Sequence, residues 1–295
     1  MGVVEDFAAE IGPPAAGPVA ALGGRTQWDV GGSVEPATRV VRAPTGVVAF
    51  EPADMTVRVR AGTTVAEVDT VLADSGQCVA LPPWDGATVG GVLAVGHSGV
   101  RQLGWGPVRD TVLEIRFVTA EGRLAKAGGP TVKNVSGFDL CRLLVGSLGT
   151  LGLLAEIVLR TRPVPACERW FAGETDPFDL VRRLYRPASV LWDGATTWVL
   201  LDGHPADVEA QARLAGLPEA DGPPPLPPHR WSVAPSSIRQ LAGTFVAEIG
   251  VGVVHHSQPT PPRSVDDAVL GLHRRLKDSF DPTGRLAPGR QVLPS

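Results

Sequence analysis

Cysteine is scarce in this chain, and its few copies lie far apart. Cys78, Cys141 and Cys167 are the three cysteines among 295 residues, and no two of them form a C-x-x-C pair. Zinc ribbons and iron–sulfur clusters need closely spaced thiolates, so this chain alone supplies neither. Cys141 stands among apolar residues, which predicts a small buried side chain.

Long apolar runs, common nucleotide motifs and excess positive charge are also lacking. Residues 143–154 are too short and too broken by glycine for the roughly 18 residues of a membrane span. There is no G-x-G-x-x-G, G-x-x-x-x-G-K-[ST] or H-E-x-x-H, which excludes a Rossmann turn, a P-loop and a zincin site. A net charge of −4 argues against nucleic acid as a partner. Glu5 and Asp6 precede any apolar run, unlike a signal peptide. We therefore expect a cytoplasmic protein, with any membrane association made through partners.

Glycine is abundant, with 35 copies, and residues 86–99 hold the most informative cluster, GATVGGVLAVGHSG. Glycine admits positive φ and a close approach of the backbone to a ligand. Consecutive N–H groups form anion-binding concavities, and Thr88 or Ser98 adds a hydroxyl donor. Residues 86–88 therefore predict a backbone cradle for a diphosphate. The alternative is a tight turn before a buried helix or strand.

Two further glycine-rich segments favour the ligand-binding alternative. Residues 22–32 contain a second turn, in which Arg25 and Thr26 are additional phosphate donors. Residues 133–152 contain a third. Three such segments in one α/β region indicate a long ligand held at several points.

These segments resemble the FAD-binding domain of the vanillyl-alcohol oxidase and p-cresol methylhydroxylase (PCMH) class. The resemblance runs from about residue 23 to 163 and resumes at 272–290, carried by the Gly23-Gly24 loop and by residues 87–91, 109–110 and 133–152. Within the class, residues 96–101, 106–110 and 133–140 are most similar to the FAD-binding E subunits of bacterial glycolate oxidases.

The resemblance implies an α+β fold, with a two-lobed PCMH-type FAD-binding domain and a reduced α+β cap domain. The expected bounds are 1–163 for the FAD domain, 164–255 for the cap, and 256–295 for a segment that returns to the FAD domain. Trp28 and Asp29 stand where members that tether FAD often have His or Cys, so we expect non-covalent FAD. Many relatives have Asn where this chain has Ala287, so a polar side-chain contact there is not expected.

The resemblance also implies a set of cofactor-binding residues in and around the three segments. They are Gly23, Gly24, Arg25, Thr26, Gln27, Trp28, Asp85, Ala87, Thr88, Gly90, Gly91, Ser98, Gly99, Arg101, Gly149, Gly152 and Leu154. The neighbouring Arg109-Asp110 pair is interpreted as a structural ion pair.

Catalytic residues cannot be assigned from the sequence. Oxidation of a hydroxy acid needs a base with a pKa near neutrality close to the substrate hydroxyl, and the histidines are the candidates. They are His97, His204, His229, His255, His256 and His273. Hydroxy-acid dehydrogenases of this class usually carry a Gly-Asp-Gly-Asn-x-His block and a His pair for a divalent metal. Neither is present, so no metal is expected here.

Three functions are compatible with these observations. The first is the FAD-binding subunit of a glycolate-oxidase-like complex acting on a 2-hydroxy acid, with a catalytic FAD/metal subunit and an iron–sulfur subunit as partners. The second is a stand-alone FAD oxidoreductase acting on another alcohol or hydroxy acid. The third is a module that keeps the fold and has lost flavin.

Periodicity predicts several elements directly. We expect a helix over 3–11, a strand over 56–61, and a helix that starts at Thr63 or Thr64 and ends at Gly76. Strands are predicted over 112–119 and 157–161. Further along, residues 245–254 predict one strand, and residues 269–280 a helix.

Overall fold

The computed structural model describes residues 2–129, 139–262 and 264–293. The chain divides into two units, the first comprising Met1–Ser98, Pro107–Pro163 and Pro262–Ser295, the second Gly99–Gly106 and Val164–Pro261. Compared with the expected bounds, residues 99–106 belong to the second unit, which ends at 261 rather than 255. The fold mixes helices and sheets, as predicted.

In its described residues, the first unit contains two β-sheets and several helices. The helices are α1 Val3–Ile11, α2 Val65–Ala73, α3 Val89–Val95, α5 Leu140–Leu144 and α8 Asp267–Phe280. The strands are β1 Val19–Leu22, β2 Arg39–Arg42, β3 Val47–Glu51, β4 Thr56–Arg60, β5 Gln77–Val79, β6 Val112–Val118, β7 Leu124–Gly128 and β8 Leu153–Pro163. Strands β1 and β2 pair in parallel, while the other sheet has the order β3-β4-β8-β6-β7, with β5 also on β8.

Local sequence accounts for the elements that lead to the site. Strand β4 alternates buried and half-buried residues, because Val57 and Val59 face the core. Helix α2 starts at a capping box, in which the Thr64 hydroxyl accepts from the N–H of Glu67 and the Glu67 carboxylate accepts from the N–H of Thr64. The predicted helix over 3–11 is confirmed as α1.

The second unit is built on one sheet. Its helices are α4 Gln102–Trp105, α6 Pro177–Arg183 and α7 Pro205–Ala215, and its strands are β9 Cys167–Gly173, β10 Ser189–Trp192, β11 Thr197–Gly203, β12 Glu219–Ala220, β13 His229–Ser232, β14 Phe245–Glu248 and β15 Val253–His256. The strand order is β12-β9-β11-β10-β14-β15-β13, with antiparallel pairing throughout. One face packs on an apolar cluster around Phe171, Leu180, Val199 and Val254.

The prediction of a single strand over 245–254 is wrong. The segment forms a hairpin, with β14 and β15 joined by a turn in which Gly250 has φ 82° and Gly252 has φ 81°. Both values lie in the left-handed region, which favours glycine. The two glycines interrupt the apolar run and reverse the chain.

Helix α8 and the residues after it belong to the first unit. The buried guanidinium of Arg285 donates to the carbonyl groups of Ile11, Gly12, Gly17 and Ala120. The N–H of Ala287 donates to the carbonyl of Val19 on β1 (2.8 Å). These bonds join the end of the described chain to its beginning.

Candidate functional site

The first glycine-rich loop follows β1 and rests on the second. A Cβ atom on Gly23 would collide with the hydroxyl of Thr88, and one on Gly24 with the carbonyl oxygen of Gly86. Both positions therefore require glycine for steric reasons. Arg25, in the same loop, has φ 63°, which turns the chain sharply.

The first loop leaves its backbone donors open. The N–H groups of residues 23–27 make no hydrogen bond to another described residue. The next bonds are longer turn contacts, from the N–H of Trp28 to the carbonyl of Arg25 and from Val30 to Gln27 (both 3.3 Å). A run of amides around a residue at positive φ is the geometry of an anion-binding nest.

The second loop instead uses four of its amides in hydrogen bonds to other described residues. The N–H of Ala87 donates to the carbonyl of Trp84 (2.9 Å), and that of Val89 to Thr63 (2.8 Å). The N–H of Gly90 donates to Ala61 (2.7 Å), and that of Gly91 to the Thr88 hydroxyl (3.2 Å). These bonds attach the loop to its own scaffold.

Gly90 and Gly91 face different surroundings. A Cβ on Gly90 would meet the Cβ of Ala61 at 2.7 Å and its carbonyl oxygen at 2.8 Å. A Cβ on Gly91 would meet only the Thr88 hydroxyl, at 3.0 Å, within the part of the chain that the structure describes. Gly90 therefore permits close packing against backbone, whereas the contact at Gly91 is with a single side-chain oxygen.

The third glycine-rich segment is attached to helix α3. The N–H of Gly146 donates to the carbonyl of Leu93 (2.9 Å), and that of Leu148 to Ala94 (2.8 Å). Gly146 and Gly149 have φ values of 82° and 77°. Residues 133–138, part of the motif that suggested this segment, lie outside the described residues.

These segments enclose a cleft within the first unit. It contains about 830 Å³ of space not filled by atoms, part of it open to solvent. Its lining includes eleven of the predicted cofactor residues: Gly23, Gly24, Arg25, Thr26, Gln27, Trp28, Thr88, Gly90, Gly91, Gly149 and Leu154.

Six predicted residues do not line this cleft. Asp85 is exposed, whereas Ala87 is buried. The hydroxyl of Ser98 accepts from the N–H of Val108 (3.0 Å). A Cβ on Gly152 would meet the ring of Phe117, so that glycine packs in the core. The remaining two, Gly99 and Arg101, belong to the second unit.

Arg101 is engaged within the second unit. Its guanidinium forms a two-point contact with the Glu168 carboxylate, with the second bond at 2.6 Å, and lies 4.8 Å from the ring centre of Trp105. The indole N–H of Trp105 donates to Asp202 (2.7 Å). These contacts hold residues 99–106 against strands β9 and β11.

Sequence reasoning missed several lining residues. Apart from small and apolar side chains such as Val30, Leu148 and Ala287, the notable one is Arg290. Its guanidinium donates to the carbonyl groups of Val30 (2.7 Å) and Gly32, and lies 4.8 Å from the ring centre of Trp28. Burial lowers the pKa of Arg290, while the negative charge of Asp29 raises it. The resemblance of residues 281–290 to a returning segment was the available signal.

The expected Arg109–Asp110 ion pair is long. The Arg109 Nε atom lies 4.0 Å from the Asp110 carboxylate, which has a shorter contact of 2.8 Å with Arg142. All three side chains are more than a third exposed, so these pairs contribute little stability.

The histidines fall into distinct environments. His97 Nδ1 lies 3.3 Å from the Gln27 amide nitrogen, next to the cleft. The side chain of His204 caps helix α7. His255 Nε2 lies 2.9 Å from Glu248. His256 accepts from the N–H of Gln258 and stacks on Trp231, so its role is structural.

Metal ions and reactive thiols depend on how the ionisable side chains are grouped and exposed. Among residues 2–129, 139–262 and 264–293, no group of three or more His, Cys, Asp or Glu side chains is placed to hold a metal ion. Cys141 is 4% exposed, as its apolar neighbourhood predicts, and burial raises the pKa of its thiol to about 11. It is therefore protonated at neutral pH.

Two families match the chain. The family described as FAD binding domain matches residues 14–128, and the family described as FAD linked oxidases, C-terminal domain, matches residues 233–291. The two matches confirm the resemblance seen in the sequence and confirm FAD as the cofactor.

Individual relatives agree with this resemblance. The chain is 33% identical over 216 residues to the glycolate oxidase subunit GlcE of Escherichia coli, covering 70% of this chain and 61% of that relative. It is 42% identical over 106 residues to a D-lactate dehydrogenase of Archaeoglobus fulgidus, covering 35% of this chain and 24% of the relative. For glycolate oxidase subunit GlcD of Bacillus subtilis the identity is 32% over 146 residues, covering 46% of this chain and 31% of the relative. The chain thus spans less than two thirds of each of these relatives.

A solved structure confirms the fold. An alkyldihydroxyacetonephosphate synthase superposes with a TM-score of 0.70 over 96% of this chain and 74% of that one, at 13% identity. At that identity the likeness concerns the fold alone. Within the described residues, no helix has the length and apolar character that a bilayer crossing requires.

Proposed function

We propose that this chain is the FAD-binding subunit of a glycolate-oxidase-like complex that oxidises a 2-hydroxy acid. The observation that carries the proposal is the run of open amides at residues 23–27, which lies along the cleft. A diphosphate needs several aligned donors, and this run supplies them. The similarity to two glycolate oxidase subunits indicates the substrate class.

The residues of the cleft fit FAD. The amides of residues 23–27 would hold the diphosphate, and the guanidinium groups of Arg25 and Arg290 add positive charge beside it. Gly91, which also lines the cleft, adds no side chain there. When bound, FAD supplies a two-electron acceptor.

We further propose that FAD is held without a covalent bond. The first loop carries Trp28 and Asp29, and neither side chain forms the bond to FAD that His or Cys forms in tethering members. The test is acid precipitation of the purified, yellow protein. We expect flavin in the supernatant. Flavin in the pellet would contradict the non-covalent attachment, and a colourless protein that takes up no added FAD would contradict the function.

The proposed partners are a catalytic FAD/metal subunit and an iron–sulfur subunit. Similarity to two proteins that are each named as a glycolate oxidase subunit supports an assembly of this kind. The lone chain is then expected to oxidise glycolate or D-lactate poorly with a dye acceptor, and co-expression with its genomic neighbours to restore dye reduction. Robust turnover by the lone chain would favour a stand-alone oxidoreductase, which the similarity to a D-lactate dehydrogenase supports.

A further inference from the structure

Three ionisable side chains line up across adjacent strands of the second unit. Arg230 on β13 pairs with His255 on β15. His255 also pairs with Val246 on β14, and Glu248 lies two residues beyond Val246 on that strand. Because side chains alternate along a strand, Arg230, Glu248 and His255 share one face of the sheet. The other face carries the apolar cluster that includes Val254.

Glu248 orients the ring of His255. The Glu248 residue is 2% exposed, and its Oε1 atom lies 2.9 Å from His255 Nε2. In the tautomer in which Nε2 donates to this carboxylate, Nδ1 is left as an acceptor. The His255 side chain is 16% exposed, so part of it reaches solvent.

Two atoms of the cluster are buried without a partner. Glu248 Oε2 and Arg230 Nε make no hydrogen bond to any described residue. Buried polar atoms in folded proteins nearly always make a hydrogen bond. Two such atoms without a partner on one face of the sheet therefore indicate that a ligand or water bonds to them. The neighbouring His256 shows the contrast, because both of its ring nitrogens have partners, Gln258 and Ala242.

The charges of the cluster suit an anion that also carries a hydroxyl group. Burial lowers the pKa of Arg230, while the negative charge of Glu248 raises it, and a guanidinium stays charged in proteins. Its planar donors match a carboxylate. Glu248 Oε2 and His255 Nδ1 provide acceptors for a hydroxyl proton.

We propose that Arg230, Glu248 and His255 form a binding site for a small 2-hydroxycarboxylate. Arg230 pairs with the carboxylate of the ligand, and the hydroxyl group of the ligand donates to Glu248 Oε2 or His255 Nδ1. The site would bind its ligand with residues of the second unit and needs no Gly-Asp-Gly-Asn-x-His block, which this chain lacks. The substrate class rests on the proposed function, while the site rests on the geometry of the second unit.

The first experiment measures the binding of glycolate and of acetate to the full chain by calorimetry. Acetate lacks the hydroxyl group, so we expect it to bind about tenfold more weakly than glycolate. Arg230→Gln should weaken both ligands by about tenfold or more, since it removes a charged hydrogen bond. His255→Gln and Glu248→Gln should bring the glycolate-to-acetate ratio close to one.

Matched controls separate a site from general damage. His229→Gln changes another ring on β13, on the opposite face of the sheet, and Arg213→Gln removes an exposed guanidinium from α7. Both should bind glycolate like the unchanged chain. Thermal unfolding of every variant reports whether the fold is retained.

Nuclear magnetic resonance measures the binding of glycolate on the unchanged chain, so this result does not depend on whether a variant folds. Among the six histidines, the ring C–H signals of His255 should shift on adding glycolate, and those of His229 should not. Unmoved His255 signals, or unchanged affinity in folded Arg230→Gln, would overturn the site. Because binding is measured separately from flavin content, a yellow protein without glycolate affinity contradicts this inference alone. A colourless protein that binds glycolate contradicts only the proposed function.

Discussion

The first and second glycine-rich loops have similar compositions and opposite uses of their backbone. In residues 23–27 the N–H groups make no bond to other described residues, whereas Ala87, Val89, Gly90 and Gly91 donate within the scaffold. The first loop also rests on the second, through Gly24 against Gly86. Glycine therefore accompanies open amides in one loop, and in the other it allows elements to pack closely.

The largest expected effect concerns the wall of the cleft. Gly91→Asp adds a carboxylate to the lining of the cleft that is proposed to hold the diphosphate, where like charges repel. We expect flavin content to fall at least about a hundredfold, with the thermal unfolding of the apo-protein little changed. Gly91→Ala, which adds volume without charge, is the control and should retain most of its flavin. Normal flavin content in folded Gly91→Asp would show that the diphosphate lies elsewhere.

An intermediate effect is expected where the two loops touch. Gly24→Ala drives a methyl group against the Gly86 carbonyl and displaces the amides of residues 23–27. We expect FAD affinity to fall about tenfold and the free energy of unfolding by about 1–3 kcal/mol, as in overpacked sites. Flavin titration and denaturant unfolding measure the two changes. Gly222→Ala, where a Cβ would meet no described atom within 4 Å, is the control. Unchanged FAD affinity would refute a role for the first loop.

The smallest effect concerns the scaffold role of the second loop. Thr88→Val keeps the shape of the side chain and removes the oxygen that accepts from the N–H of Gly91. Loss of such a cap costs about 1 kcal/mol, which corresponds to about 2–4 °C in melting temperature for a unit of this size. Thr88→Ser retains the hydroxyl and should melt like the unchanged chain. If Thr88→Val melts normally and loses flavin, the hydroxyl contacts the cofactor rather than the scaffold.

The sequence predicted much of the fold because several signals are local. The 3.6-residue periodicity predicted α1 with its observed bounds, and period-two alternation predicted β4. The hairpin of β14 and β15 was missed, since residues 245–254 are apolar enough for one strand. The turn follows from Gly250 and Gly252, whose positive φ values are not readable from hydropathy.

The candidate site was predicted in part, because its motifs are local in the sequence. The glycine motifs and the resemblance that they carry indicated eleven of the residues that line the cleft. They did not indicate Arg290, which reaches the cleft because the end of the chain packs beside the first loop, with Arg290 bonded to Val30. They also did not show that Arg101 pairs with Glu168 in the second unit.

By itself, the sequence indicated the resemblance to FAD-binding oxidases, and the resemblance implied the fold class and the FAD cofactor, because the motifs that carry it can be read along the chain. Only the tertiary structure decided which glycine loop has open amides, since a donor is open or used according to what folds against it. The same holds for the histidines. All six are alike in the sequence, and the reversal at Gly250 and Gly252 brings His255 beside Glu248.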